Sequence, residues 1–153
     1  MLLEEGFSYS SSVMPSYNPI AGYPGAPRQP FLWECGLLEL PAPVWGIGSF
    51  ALPFLGGAYL RLAPAALVSL AARGRSAESG DWSYSHPYDF DSTEPFFRRQ
   101  GQSWFEARLL FAFRNRMLSR FARFAAPGTP TLGEYAQRVI ARGGLPVFSP
   151  RKP

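Results

Sequence analysis

The chain has 153 residues, 46% hydrophobic and 16% aromatic, with 15 Gly and 16 Pro; this is enough apolar mass for one modest, turn-rich core and excludes a disordered tail. One Cys and one His exclude an intramolecular disulfide and argue against a tight zinc site within the chain. The net charge of +4 splits into −5 over residues 1–97 and +9 over residues 98–153, so the C-terminal third suits an anionic partner, although arginines on the solvated faces of two helices account for it as well.

In chain order, residues 2–7 read as the tail of a helix stopped by Gly6. Glu4 and Glu5 stand where a secretory signal carries positive charge, and the apolar run is short, so no signal is expected. "FSYSSSVMP" predicts a short strand closed by Pro15, and Ser16 to Pro30, with four prolines and two glycines, predicts loop. Strands follow at Leu37–Leu40, Val44–Ile47 and Ser49–Leu52, the last stopped by Pro53. Cys35, among Leu32, Trp33, Leu37 and Leu38, reads as a small buried hydrophobe. Residues 41–60 are uncharged over a bilayer length, but Pro41, Pro43, Pro53, Gly46, Gly48, Gly56 and Gly57 break a helix. Buried strands and turns are expected instead of a membrane span, and a cytoplasmic location is favoured.

"LAPAALVSLAARG" predicts a helix with Pro64 at an early position, Arg73 near its negative end and Gly74 at C′. Trp82–His86 predicts a strand broken by Pro87. Ser103 to about Phe124 predicts the longest helix, opened by a Ser103/Glu106 capping box. Its apolar stripe is Leu110, Phe113, Met117, Phe121 and Phe124, with Arg108, Arg116 and Arg123 opposite and Arg114 at the stripe's edge. Thr131 and Glu134 form a second capping box, and Gly143–Gly144 end that helix after Arg142. Helix followed by strand points to an α/β class.

Candidate chemistry centres on "WSYSHPYDFD". His86 has carboxylates nearby at Asp89, Asp91 and Glu94. A catalytic acid or base and an ordinary surface histidine both fit that local sequence. No P-loop, G-x-G-x-x-G, G-x-S-x-G, H-x-x-x-H or C-x-x-C spacing occurs. The aromatics of the Arg-rich helix lie on its apolar stripe and not among the arginines, so no nucleic-acid partner is expected.

Four phrases occur in order: "LLEEGFSYSSSVMP", "GLLELP", "LPFLGGAYLRLAP" and "WSYSHPYDFDSTEP". Together they resemble the C-terminal half of polysaccharide deacetylases, the chitooligosaccharide-deacetylase-like carbohydrate esterases. The likeness runs from about Leu2 to Phe124 and is greatest to the subgroup associated with exosortase and exopolysaccharide gene clusters. It implies the C-terminal portion of a distorted (β/α) barrel over residues 1–126, with residues 127–153 as a C-terminal helix and tail. It implies hydrolysis of N-acetyl (or O-acetyl) groups on a sugar polymer at a divalent metal such as zinc. It also implies that His86 is the general acid. Trp82, Tyr84 and Tyr88 are weaker candidates for stacking against the sugar.

Two departures stand out. The metal-binding T-F-D-D and H-x-x-x-H phrases have no counterpart here, so no cofactor is expected in this chain and no activity from it alone. The aspartate of the related "Y-D-S-S" phrase, implied to orient the histidine, is Ser10. A half barrel would also expose strand edges and apolar faces. The rival reading is a non-catalytic binding or assembly module. It would dock the Arg-bearing helix 103–124 on a partner protein or, less favoured, a membrane.

Overall fold

The computed structural model describes residues 2–17, 22–47, 51–73, 80–122 and 128–150. Gly48, Ser49, Gly74, Arg123 and Phe124, named above, lie outside the described residues. The chain divides into two units, residues 1–53, 74–82 and 130–153 in the first and 54–73 and 83–129 in the second.

The first unit is a mixed sheet with a helix on it. Its four strands are β1 (Tyr9–Ser10), β2 (Phe31–Trp33), β3 (Leu38–Glu39) and β6 (Val147–Phe148), in the order β1-β3-β2-β6. β2 and β3 are an antiparallel hairpin, while β1–β3 and β2–β6 are parallel. The hairpin loop is Glu34-Cys35-Gly36, closed by Trp33 N–H to Leu37 O at 3.0 Å, with Gly36 at φ +87. A three-residue loop with glycine in the left-handed position is a favoured hairpin turn. This explains why Cys35 is exposed and not buried as expected: it occupies the loop tip. A second ladder pairs β4 (Val44–Trp45) with β5 (Leu52–Pro53), so Pro53 ends inside the strand and does not follow it.

Helix α6 (Leu132–Arg142) begins at the expected Thr131/Glu134 box and ends at Gly143, φ +67. Its Ala136 and Val139 pack on Leu38 and Leu40, while Phe31, Val13 and Ala26 form a neighbouring cluster closed by Phe148 and Trp33. Full burial of each large apolar side chain contributes about 1.5–3 kcal/mol. Near the N-terminus, Leu2–Gly6 forms a turn and not a helix. Gly6 N–H donates to Leu3 O and Phe7 N–H to Leu2 O, both 3.0 Å, which is the glycine stop the sequence announced.

The second unit is helical. It contains α1 (Gly57–Leu62), α2 (Ala65–Ala72), α3 (Pro87–Phe90), α4 (Trp104–Phe111), a 3-10 turn (Arg114–Arg116) and α5 (Met117–Phe121). Phe54, Leu55, Leu60, Val68 and Met117 are its core. Arg120 donates to the carbonyls of Leu60, Arg61 and Ala63, satisfying the end of α1.

Three expectations change here. The helix expected over 103–124 breaks, because Ala112 leaves the helical ladder and Phe113 takes a left-handed φ of +58. The Ala112 carbonyl accepts from Arg61 Nη1, a tertiary bond that takes the place of a helical one. Arg114, expected at the stripe's edge, is buried. Trp82–His86 is no strand: its one ladder contact is the parallel bridge of Tyr84 with Gly56. Pro87 opens α3 at its first position, where the missing N–H costs nothing. The class, by contrast, is the α/β expected: the described residues form a mixed α/β architecture and close no barrel among themselves.

Candidate functional site

The third and fourth phrases meet in the second unit. Gly57 N–H donates to Tyr84 O at 2.8 Å, bringing the start of α1 against the 83–86 segment. Two glycines make the approach possible. A Cβ on Gly56 would lie 2.0 Å from the Tyr84 ring, and one on Gly57 would lie 2.1 Å from Asp89 Oδ2. One turn further along α1, Arg61 Nε donates to Asp89 Oδ1 at 3.0 Å, with both side chains buried. "GGAYLR" is therefore a seat for "YSHPYD".

His86 sits on that seat as the N-cap of α3. Its backbone N–H donates to Asp89 Oδ2 at 2.9 Å, and Asp89 N–H donates to His86 O at 2.9 Å. The imidazole is 60% exposed, with Nδ1 3.5 Å from Asp89 Oδ2. Tyr88 stacks on it, with ring centroids 4.8 Å apart and planes at 8°, and its hydroxyl lies 3.0 Å from Nδ1. The spacing of "HPYD" thus does bring His86 and Asp89 together.

The remaining carboxylates take other roles. Asp91 accepts from the Thr93 hydroxyl and the Thr93 and Glu94 amides, and the Thr93 hydroxyl above all holds its carboxyl below the usual range. Glu94 pairs with Arg114, whose guanidinium also reaches Leu110 O and Asp91 O and lies 5.7 Å from the Tyr88 ring centroid. Tyr84 is packed against Gly56, and burial pushes its phenol up to about 12, with Tyr59 adding to the effect. Trp82 belongs to the first unit, where its indole N–H donates to Pro41 O at 3.0 Å. Of the candidates named from sequence, His86 and Tyr88 are in direct contact, and Tyr84 flanks them on the same seat.

Glu39, from "GLLELP", is buried in the first unit and fully engaged. It accepts from Ser12 N–H (2.7 Å), Val13 N–H (2.9 Å) and the Trp33 indole (3.0 Å). Ser10 lies within hydrogen-bonding distance of Ser12, Oγ to Oγ 3.2 Å. Sequence reasoning read Gly56 and Gly57 only as helix breakers, named Asp89 only as a carboxylate near His86 and left Arg61 without a role, although "GGAYLR" already carried part of the resemblance. Arg61 and Asp89 are 28 residues apart, and no periodicity joins them.

Among the described residues, no three His, Cys, Asp or Glu side chains gather as a metal-ligand group. Asp89 already serves Arg61 and the His86 amide. The described residues do not fit the divalent metal that the resemblance implies.

These features define a mixed α/β protein in which a solvent-facing histidine rests on a buried aspartate–arginine pair. Residues 11–128 match the sequence profile of a domain of unknown function, DUF3473, and the chain belongs to that family. The domain sits at the C-terminus of polysaccharide deacetylase-like proteins. No curated protein and no solved structure matches the chain.

Proposed function

We propose that this chain is the C-terminal part of a polysaccharide deacetylase of the exopolysaccharide-associated subgroup. In this reading its fold is the C-terminal portion of a distorted (β/α) barrel, and it supplies the acid side of the active site. The supporting observation is that the two most distinctive phrases build one seat, and the group they present to solvent is His86. A proton donor at that place assists departure of the sugar amine as the N-acetyl bond is cleaved. The ligands for a metal must come from other sequence. The test is to read the coding DNA directly upstream of Met1. If it continues in frame into T-F-D-D and H-x-x-x-H phrases, the joined protein is assayed on N-acetylated sugar oligomers. Deacetylation should appear with the joined protein and fall about 10²- to 10⁴-fold in His86→Gln. Full activity of His86→Gln would refute the assignment.

One observation favours a second reading, a docking module. Helix α4 leaves Trp104 (58%) and Phe105 (75%) exposed beside Arg108. Phe96, Trp104, Arg108, Phe111 and Ala112 line an open cleft of about 380 Å³. Charge reversal of Arg108 and Arg116 separates the readings. It should abolish partner or anionic-vesicle binding if α4 is the functional face, and leave deacetylation by the joined protein unchanged if His86 is.

A further inference from the structure

We propose that the exposed side of α4 and the turn after it form a docking surface for a lipid bilayer with anionic headgroups, an inference that rests on the docking reading of α4 and not on His86. The centre of this surface is a patch of Phe96, Arg98, Trp104, Phe105, Arg108 and Leu109, all exposed. Trp104 and Arg108 lie one turn apart on α4, as do Phe105 and Leu109, so the two pairs form neighbouring rows on one side of the helix. Phe96 stacks on Trp104 with ring centroids 5.9 Å apart, and the Arg98 guanidinium lies 5.2 Å from the Trp104 centroid.

The break after α4 adds to it. Uninterrupted helical spacing would keep Phe113 on the core stripe with Met117 and opposite Arg116. Instead Phe113, at a left-handed φ of +58, is exposed, and the Arg116 guanidinium lies 4.6 Å from its ring centroid. A phenylalanine in that backbone region is strained, and with its ring 44% exposed, burial offsets little of the strain. Arginines therefore lie among aromatic rings here. Interfacial helices hold anionic bilayers by that combination: rings enter the edge of the acyl layer while guanidiniums meet the phosphates.

Charge selects the occupant. Residues 92–122 carry six arginines and two acids. Glu94 is taken by the buried Arg114, Arg120 by the carbonyls at the end of α1, and Glu106 caps its own helix. Arg98, Arg99, Arg108 and Arg116 pair with no carboxylate among the described residues. A second copy of the chain, docked about a two-fold axis, would set these arginines against their own equivalents. A sugar ring or a nucleic-acid base would need the face of Trp104, where Phe96 and Arg98 already sit. Leu109 and Leu118, both exposed, give such a ligand nothing to stack on. An anionic bilayer engages cations, aromatic rings and aliphatic side chains together.

The test sediments the full chain with sucrose-loaded vesicles of equimolar phosphatidylcholine and phosphatidylglycerol, and with vesicles of phosphatidylcholine alone. Binding should require phosphatidylglycerol and weaken as salt is added. Arg98→Gln combined with Arg108→Gln should weaken it about 25-fold, at about fivefold for each arginine near an anionic surface. Phe105→Ser should weaken it about tenfold. These side chains are exposed, so the variants should unfold in urea as wild type does. The blue shift of tryptophan emission on binding should vanish in Trp104→Phe, which should still bind. No binding to the mixed vesicles overturns the proposal, and so does full binding by Phe105→Ser, which would reduce the contact to charge alone. Binding of polyuridylate or polygalacturonate in place of vesicles, lost in the arginine variant, overturns the bilayer as occupant while α4 remains a docking face. Variants that match wild type toward all these probes remove the docking reading as well. Where the coding sequence continues upstream, the joined protein should bind the mixed vesicles as this chain does; loss of binding there overturns the proposal, because upstream residues then cover the surface.

Discussion

Two glycines in the first turns of two helices should respond oppositely to the same substitution. In Gly57→Ala the new Cβ would lie 2.1 Å from Asp89 Oδ2, 2.6 Å from Cγ and 2.8 Å from Oδ1. Relief to ordinary contact needs a shift of about 1.3 Å, taking about 3.4 Å as the near edge of van der Waals distance. The carboxylate would then leave Arg61 and the His86 amide, now at 3.0 and 2.9 Å. Breaking a buried ion pair costs about 3–5 kcal/mol, and alanine returns at most about 1 kcal/mol of helix preference. The net loss is about 2–4 kcal/mol. Gly133, in the first turn of α6, meets nothing nearer than Tyr9 Oη at 3.8 Å, so Gly133→Ala should gain about 0.5–1 kcal/mol. Urea unfolding followed by circular dichroism reads both. A Gly57→Ala protein as stable as wild type would show that Asp89 is not held against α1, and the seat described above would be wrong.

Three further outcomes follow from the same contacts. Thr131→Ala removes the side-chain acceptor for Glu134 N–H at 3.2 Å and should cost about 1 kcal/mol in thermal unfolding, with Thr131→Ser near wild type. Glu106 and Glu134 are held below the usual carboxylate range, first by the Ser103 and Thr131 amides and then by their hydroxyls. Their contribution is present above the unfolded carboxylate value and lost as pH falls toward the folded one. Helical signal should therefore weaken in acid, and Glu134→Gln should flatten part of that slope. At the alkaline end, the Tyr84 phenol at about 12 is raised from 10.0. Stability should be complete below about 10 and decline as pH rises toward about 12, and Tyr84→Phe should remove that decline.

The sequence announced local structure wherever neighbouring residues satisfy one another. Both capping boxes and the Gly6 and Gly143 stops are decided within five residues, and each is found among the described residues. Strand β2 was missed because its partner β6 lies more than 100 residues away and its hairpin turn hides in "ECG". Helix α1 was missed because two glycines lower its propensity, and the reason they are there, Tyr84 and Asp89, is remote in sequence. The break after Phe111 was missed for a related reason. Helical spacing continues through it, and only the Arg61 bond to Ala112 O shows where the ladder yields. His86 was legible as a candidate; the pair beneath it was not.

Two buried carboxylates, both inside phrases that carry the resemblance, show how structure and chemistry separate here. Glu39 is surrounded by neutral donors, two amides and an indole, and touches nothing that moves a proton. Such a carboxylate fixes the hairpin to the segment after β1 and has no further capacity to offer. Asp89 has one amide, an arginine with an idle N–H, and a histidine that faces solvent. Replacing Glu39 by Gln should therefore be a stability change alone, since the amide oxygen still accepts but its NH₂ group faces a donor. Replacing Asp89 by Asn should cost more, about 3–5 kcal/mol, because it also leaves the buried Arg61 guanidinium without its counter-charge. Equal losses at the two positions in urea unfolding would show that the Arg61 pairing adds nothing, and Asp89 would reduce to a second Glu39.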